Sequence, residues 1–264
     1  MYNFAYHRPS SLADAKAALA SADDGRLLAG GQTLIPTLKQ RLAQPSDVID
    51  LGAIAELRGI TVSGGNVAIG ATTPHADVAA SAEVSQAIPA LAHLASLIGD
   101  PQVRNMGTIG GALANSDPTA DYPAAVLALG ATVHTNKREI AADDYFKGLF
   151  ETALDDGEII TKVTFPAPEK AGYAKFPNPA SRYAIVGVMV AKTAGGVRVA
   201  VTGAGACVFR VGDMESALDG SFSANALRDI SVSADGLNSD LHASAEYRAH
   251  LVGVMARRAV TAAG

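Results

Sequence analysis

The sequence predicts an α+β fold built from two lobes, a larger one followed by a smaller one. Its 264 residues are long for one simple core but suit two compact lobes. The hydrophobic fraction is 48%, aromatics are only 5% and there is no tryptophan, a composition typical of chains that mix helices and strands. Two prolines and a glycine punctuate residues 165–172. We therefore expect a first lobe over residues 1–168 and a second over residues 169–264.

Local patterns place the elements of the first lobe. Ser11 and Asp14 form a Ser-x-x-Asp capping box at the start of an alanine-rich stretch, which predicts a helix. The glycines and asparagine at 64–66 supply a turn between two short alternating runs, which predicts a β-hairpin. The predicted elements, in order, are a helix at 11–21, strands at 26–29 and 47–51, a hairpin at 57–71, a helical stretch at 83–98, a helix at 123–129 and a strand at 131–135. Within 83–98, Pro89 must lie near a helix start.

The second lobe is predicted to contain strands at 184–191 and 197–202 and helices at 214–218 and 245–262. On the last helix the apolar stripe consists of Tyr247, Leu251, Val254 and Val260, and Arg248 lies away from it. Arg257 and Arg258 also lie away from the stripe.

Charge and metal-binding residues exclude several classes of function. The net charge of -5 disfavours nucleic-acid binding, which requires a basic face. The single cysteine, Cys207, cannot form an iron-sulfur cluster, and the six histidines form no metal-binding pattern. There is no signal-peptide pattern at the N-terminus and no apolar run of about 18 residues. We expect a cytoplasmic protein without a transmembrane segment or a metal site.

Two glycine pairs are the most informative motifs. Gly30-Gly31 follows a predicted strand, and Gly110-Gly111 comes about 80 residues later. Paired glycines can turn successive N-H groups toward one anion, and they lack a Cβ that would block its approach. We interpret the pairs as two nests that converge on one pyrophosphate, to which Thr33 and Thr108 add hydroxyl donors.

Spacing alone leaves open that both pairs are merely turns. Neither fits G-x-G-x-x-G or the phosphate-binding P-loop, so a Rossmann or P-loop site is disfavoured. The one G-x-G, from Gly203 to Gly205, is interpreted as a turn at a strand end, because position 208 is a valine.

The ordered set of motifs along nearly the whole chain resembles the FAD-binding medium subunits of the molybdenum hydroxylases, such as aerobic carbon monoxide dehydrogenase, and the central domain of xanthine dehydrogenase. The motifs that carry the resemblance are Phe4-Ala5-Tyr6 with Pro9, Ala29-Gly30-Gly31-Gln32-Thr33-Leu34-Ile35-Pro36, Ile69-Gly70-Ala71-Thr72-Thr73, Asp100-Pro101-Gln102-Val103-Arg104-Asn105, Gly107-Thr108-Ile109-Gly110-Gly111 and Asp117-Pro118-Thr119-Ala120-Asp121-Tyr122-Pro123.

The resemblance implies a PCMH-type, vanillyl-alcohol oxidase-like fold. In such a fold two α/β subdomains, here about residues 1–55 and 56–168, clasp FAD between them. A small α+β C-terminal domain of the carbon monoxide dehydrogenase flavoprotein type would follow at residues 169–264.

The resemblance also implies a set of FAD contacts and no catalytic residue on this chain. Asp121 would accept hydrogen bonds from the ribose or ribityl part, Lys175 would lie near the flavin, and Tyr183 and Ile160 would cover its two faces. His75 receives no role. The full implied set is Arg26, Leu27, Leu28, Ala29, Gly30, Gly31, Gln32, Thr33, Leu34, Thr72, Arg104, Thr108, Ile109, Gly110, Gly111, Ala112, Asp121, Ile160, Lys175 and Tyr183.

Structural roles are open for several of these residues. Asp121 could cap a helix, Arg104 could pair with a carboxylate, Lys175 could be an exposed lysine and Tyr183 a half-buried strand aromatic.

By this resemblance the chain is the electron-transferring flavoprotein subunit of an oxidoreductase. Molybdenum cofactor would lie on a large partner and [2Fe-2S] clusters on a small one, in a dimer of heterotrimers, that is, a heterohexamer. FAD would relay electrons to a quinone, NAD or oxygen. Two alternatives are a stand-alone FAD-dependent oxidase or dehydrogenase of the same fold, which would turn over a substrate by itself, and a non-enzymatic nucleotide-binding module, which would show no flavin.

Overall fold

A computed structural model describes all 264 residues of the chain, which form four β-sheets and the helices packed on them. No helix is long and apolar enough to cross a membrane. The predicted α+β class is confirmed.

The N-terminal part contains a three-stranded parallel sheet, in the order β1-β3-β2. Ser11 caps α1 as predicted, because its Oγ accepts the backbone N-H of Asp14 at 3.1 Å. The elements are β1 (Ala5–His7), α1 (Leu12–Ser21), β2 (Gly25–Leu28), α2 (Leu34–Lys39) and β3 (Asp47–Asp50), followed by 3-10 turns at Leu51–Ala53 and Ala55–Leu57.

A five-stranded antiparallel sheet forms the middle of the chain, in the order β4-β5-β10-β6-β7. Its elements are β4 (Ile60–Ser63), β5 (Asn66–Gly70), α3 (His75–Ala80), α4 (Ala82–Ala87), α5 (Pro89–Ser96), α6 (Pro101–Met106), α7 (Ile109–Asn115), α8 (Tyr122–Ala128), β6 (Thr132–Thr135), β7 (Glu139–Ala141), α9 (Ala142–Tyr145), β8 (Phe146–Gly148), β9 (Glu151–Thr152) and β10 (Ile160–Pro166). Strands β8 and β9 pair only with each other. The predicted hairpin at 57–71 is confirmed by β4 and β5.

The predicted helical stretch 83–98 is divided in two, and the prediction that Pro89 lies near a helix start is confirmed. The stretch 83–98 forms two helices, and the break lies at Ile88, whose ψ of 76° is not helical. Pro89 causes the break, because its ring disfavours helical backbone at the preceding residue and it has no N-H to donate. Pro89 therefore begins α5.

The C-terminal part is a four-stranded antiparallel sheet, in the order β11-β12-β13-β14, with helix α11 packed against it. Its elements are β11 (Lys170–Pro177), β12 (Ala184–Thr193), β13 (Gly196–Thr202), β14 (Phe209–Arg210), α10 (Gly212–Gly220), a 3-10 turn at Ala224–Leu227 and α11 (Ala245–Ala263). Gly203 directly follows β13 with a φ of +84°, which confirms the strand-end turn.

Strand β12 joins the C-terminal sheet to the rest of the molecule. Val186, Val188 and Val190 belong to the core under α11, whereas Met189 and Ala191 belong to the larger core of the middle region. Because both faces of β12 are covered, the strand is almost continuously apolar instead of alternating. At residues 167–169 the chain passes from β10 in the middle sheet to β11 in the C-terminal sheet. The two hydrophobic cores are not separated there, because they meet at β12.

Helix α11 follows the predicted apolar stripe only in part. Leu251 and Val260 are buried as expected, but Tyr247 is 44% exposed and the Arg248 side chain is only 3% exposed. Arg248 is buried because carbonyl oxygens at the adjacent strand ends accept its guanidinium hydrogens. Hydropathy spacing could not indicate this, since it carries no information on acceptors across the fold.

Candidate functional site

The first glycine turn connects β2 to α2, and its two glycines are required for different reasons. Gly31 has a φ of +70°, a backbone conformation that residues with a Cβ rarely adopt. Gly30 has no positive φ, but a Cβ placed on it would lie 2.7 Å from the Cα of Gly107 and nearer still to the carbonyl oxygen of Met106. Any larger residue at position 30 would push the turn away from the segment that precedes α7.

The backbone amides of this turn have no acceptors in the protein. None of the N-H groups of Ala29 through Thr33 donates a hydrogen bond to another residue. Three of these residues are half-buried, and Gln32 and Thr33 are exposed, so the free amides can reach water or a ligand. We call residues 29–33 the amide cradle. Together with the positive φ at Gly31, the free donors fit an anion that is held without a cationic side chain.

The second glycine pair lies beside the amide cradle, as predicted, since a Cβ on Gly111 would be 3.9 Å from the Cβ of Ala29. Its interpretation as a second anion nest is wrong, because its amides are occupied. The N-H of Ile109 donates to Thr73 O at 3.3 Å, that of Gly110 to Ala71 O at 2.8 Å and that of Gly111 to Thr108 Oγ1 at 3.2 Å.

Close packing explains the need for Gly110. A Cβ on this residue would lie 2.6 Å from the Cβ of Ala71. Thr108 caps α7 through its hydroxyl, Ile109 is fully buried and Ala112 packs against the core. The second pair therefore forms a wall of the site rather than a set of donors.

Other residues of the predicted FAD site interact with neighbouring residues of this chain. Arg26 is exposed and pairs with Asp24 at 3.1 Å, and the Thr72 hydroxyl donates to Leu57 O at 3.0 Å. Ile160 is 5% exposed and belongs to the core. Leu27, Leu28 and Leu34 are half-buried at the ends of β2 and α2.

Arg104 pairs with no carboxylate. Its Nη1 donates to Ile98 O and to Gly99 O, each at 3.0 Å, which fixes the segment between α5 and α6. Arg182 approaches the same Gly99 oxygen at 3.5 Å. This segment therefore connects α6 with the loop that carries Tyr183.

Asp121 and Lys175 form a buried ion pair. The Lys175 Nζ donates to Asp121 Oδ2 at 2.9 Å and to Leu97 O at 3.0 Å, and both side chains are 3% exposed. The Tyr173 hydroxyl donates to Asp121 Oδ1 at 2.5 Å. Burial raises the pKa of Asp121, and Lys175 and Tyr173 partly offset that rise.

This ion pair excludes the two structural alternatives given for these residues. Lys175 is not an exposed lysine, and the Asp121 side chain does not cap α8. The carboxylate is directed at the protein and joins the middle region to β11. Tyr173, which the sequence did not indicate, completes the group.

Tyr183 is displayed on a compact loop between β11 and β12. Asn178 Oδ1 accepts the N-H groups of Ala180 at 2.9 Å and Ser181 at 3.1 Å, and Arg182 has a φ of +62°. The Tyr183 ring is 54% exposed. Partial burial and the nearby Asp117 raise the pKa of its phenol. An exposed aromatic on a fixed loop suits stacking on a planar ligand.

His75 packs against Gly107, which in turn lies against Gly30 of the cradle. It is 5% exposed, its N-H donates to Gly107 O at 2.9 Å, and a Cβ on Gly107 would lie 2.6 Å from its Nε2. Its ring lies 5.3 Å from that of Tyr122, and its Nδ1 has no hydrogen-bond partner. Burial, and to a smaller extent Arg104, lower the pKa of His75 to about 4. A single histidine in the sequence could not indicate that His75 would pack against Gly107.

The low pKa of His75 predicts acid sensitivity. Unfolding raises this pKa from about 4 to about 6.5, so the unfolded state binds the extra proton and stability is lost as pH falls through that interval. The expected loss between pH 6.5 and 4 is about 3 kcal/mol, and urea unfolding across a pH series measures it. His75→Phe should reduce this slope, whereas substitution of the exposed His93 by Gln should not. An unchanged slope in His75→Phe would contradict the assignment.

Comparisons with known proteins show the family of the chain. A family model described as the FAD binding domain in molybdopterin dehydrogenase matches residues 2–168. The nicotine 6-hydroxylase medium subunit of Paenarthrobacter nicotinovorans is 38% identical over 98% of this chain and 96% of its own length. The carbon monoxide dehydrogenase medium chain of Hydrogenophaga pseudoflava is 35% identical over the same shares, 98% and 96%.

Solved structures of similar chains share the fold. A chain of the cyanide-inactivated Cu,Mo-CO dehydrogenase superposes with a TM-score of 0.90 at 35% identity, covering 100% of this chain and 98% of that one. A chain of quinoline 2-oxidoreductase from Pseudomonas putida 86 gives a TM-score of 0.88 at 29% identity, covering 99% and 96%. The resemblance inferred from the motifs is confirmed.

Proposed function

We propose, from the premise that this chain belongs to the FAD-binding medium subunits of the molybdenum hydroxylases, that its amide cradle holds the diphosphate of FAD. The observation that carries the proposal is the run of free N-H groups from Ala29 to Thr33. A diphosphate has several oxygens to satisfy, and backbone amides can serve them although the chain carries a net charge of -5. Residues 108–112 lie beside the cradle, since a Cβ on Gly111 would be 3.9 Å from the Cβ of Ala29.

The isoalloxazine ring is proposed to lie against Tyr183. That side chain is 54% exposed, and the loop that carries it is fixed by Asn178 and by contact of Arg182 with Gly99. When bound, FAD accepts and releases electrons singly or in pairs. The chain positions the ring, and the buried Asp121–Lys175 pair joins the middle region to β11.

The chain is the flavoprotein component of a heteromeric oxidoreductase, like the medium subunits it matches. We propose that a large molybdenum-binding partner and a small [2Fe-2S] partner complete the assembly as a dimer of heterotrimers, and that electrons pass from those clusters to an external acceptor. A cytoplasmic location remains a prediction, which fractionation of native cells would test.

Titration of the purified chain with FAD tests the proposal. FAD should yield a yellow protein that dithionite bleaches, and at 100 times the Kd it should stabilise the chain by about 2.7 kcal/mol. FMN, which lacks the diphosphate bridge, should bind more weakly. Equal affinity for FMN and FAD would contradict the diphosphate assignment. Turnover of an organic substrate by the isolated chain would favour the stand-alone oxidase, and failure of FAD to stabilise the protein would contradict both.

A further inference from the structure

Arg248 on α11 is a buried cation that the proposed site does not use. Its Nη1 donates to Ile185 O at 2.7 Å and to Gly203 O at 3.0 Å, and its Nη2 donates to Asp240 Oδ2 at 2.7 Å. Its side chain is 3% exposed, whereas that of Asp240 is 45% exposed. Burying a charged side chain is costly, so a position of this kind requires an explanation.

The two carbonyls lie at the adjacent ends of neighbouring strands. The last register pair of β12 and β13 at this end is Gly187 with Thr202, so Ile185 and Gly203 lie beyond the ladder. Gly203 has a φ of +84°, and a Cβ there would lie 2.7 Å from Ile185 O. The Arg248 guanidinium therefore joins two strand ends that the ladder no longer holds together.

The same strand ends form hydrogen bonds with residues 118–120 of the middle region. Gly203 N donates to Pro118 O at 2.7 Å, and the Thr202 hydroxyl lies 2.9 Å from Pro118 O and 2.6 Å from Ala120 O. Ala184 N donates to Thr119 O at 3.2 Å. Asp121 follows directly after this segment, and Tyr183 directly precedes Ala184.

We infer that Arg248 is a positioning residue for the flavin, which acts by fixing the strand ends that present Tyr183 and hold the segment leading to Asp121. The inference rests on the proposed function. The planar guanidinium can serve two carbonyls and a carboxylate at once, whereas a lysine ammonium is a single point on a flexible chain. Arg248→Lys should therefore keep the charge but lose the fixed geometry.

The test compares Arg248→Lys with Arg258→Lys, an exposed arginine of the same helix, in the full-length chain. FAD affinity should fall about tenfold in Arg248→Lys and stay unchanged in Arg258→Lys. Quenching of flavin fluorescence should weaken and the reduction potential of bound FAD should shift in Arg248→Lys only. If Arg248→Lys does not fold, Asp240→Asn, which removes its half-exposed partner, should give the same changes at smaller amplitude.

A double-mutant cycle with Tyr183→Ala tests whether Arg248 acts on the flavin through Tyr183. In the Tyr183→Ala background, Arg248→Lys should have little further effect on flavin fluorescence. An undiminished effect there, or a lower melting temperature with unchanged affinity, fluorescence and potential, would overturn the inference. Absence of FAD binding by the unmodified chain would instead overturn the proposed function.

Discussion

Lys175→Met is expected to lower the free energy of unfolding by about 3–5 kcal/mol, because it leaves the buried Asp121 carboxylate without its cation. The two side chains are each 3% exposed, and their charged atoms are 2.9 Å apart. The Tyr173 hydroxyl, at 2.5 Å from Asp121 Oδ1, cannot replace the lost charge. Leu97 O also loses its donor. With the lysine absent, burial should raise the pKa of Asp121 further, so the carboxyl takes up a proton in the folded state.

Urea unfolding of the cofactor-free chain measures this effect. Lys192→Met is the matched control, because Lys192 pairs with Glu169 at the same 2.9 Å distance but with side chains 41% and 59% exposed. Its loss should be at most about 1 kcal/mol. A Lys175→Met/Asp121→Leu double variant should recover a large part of the stability, since no unpaired charge remains buried. A loss in Lys175→Met no larger than in Lys192→Met would show that the pair is hydrated in solution.

Local signals in the sequence predicted the local structure well. The Ser11 cap and the turn at residues 64–66 were identified because each depends on residues within a few positions of one another. The strand-end turn at Gly203 was identified for the same reason. Pro89 was likewise placed near a helix start, but the helical spacing of apolar residues before it gave no indication that a separate helix ends at Ala87.

Long-range partners could not be predicted in the same way. Asp121 and Lys175 were both assigned to the site, but their pairing across 54 positions was not foreseen. The glycines at 110 and 111 indicated proximity to a ligand, yet the sequence does not show that Thr73 and Ala71 already occupy the nearby amides. Which donors are free is a property of the assembled backbone, so only the structure distinguishes the two glycine turns.

This distinction makes Gly30 the position where a small change should affect the cofactor most. Gly30→Ala is expected to weaken FAD binding by one to two orders of magnitude, because overpacking of this kind costs about 1–3 kcal/mol. Its Cβ would collide with backbone atoms of Met106 and Gly107, which cannot rotate away as a side chain could. Since Gly30 has no positive φ, alanine is compatible with its backbone, and the substitution tests the contact alone.

Fluorescence titration with FAD measures the loss, and Gly212→Ala provides the matched control. Gly212 is exposed, has no positive φ, and has no atom within 4 Å of an added Cβ. FAD affinity in Gly212→Ala should equal that of the unmodified chain. If Gly30→Ala also binds FAD normally, FAD binding does not depend on the close contact of the cradle with residues 106–107.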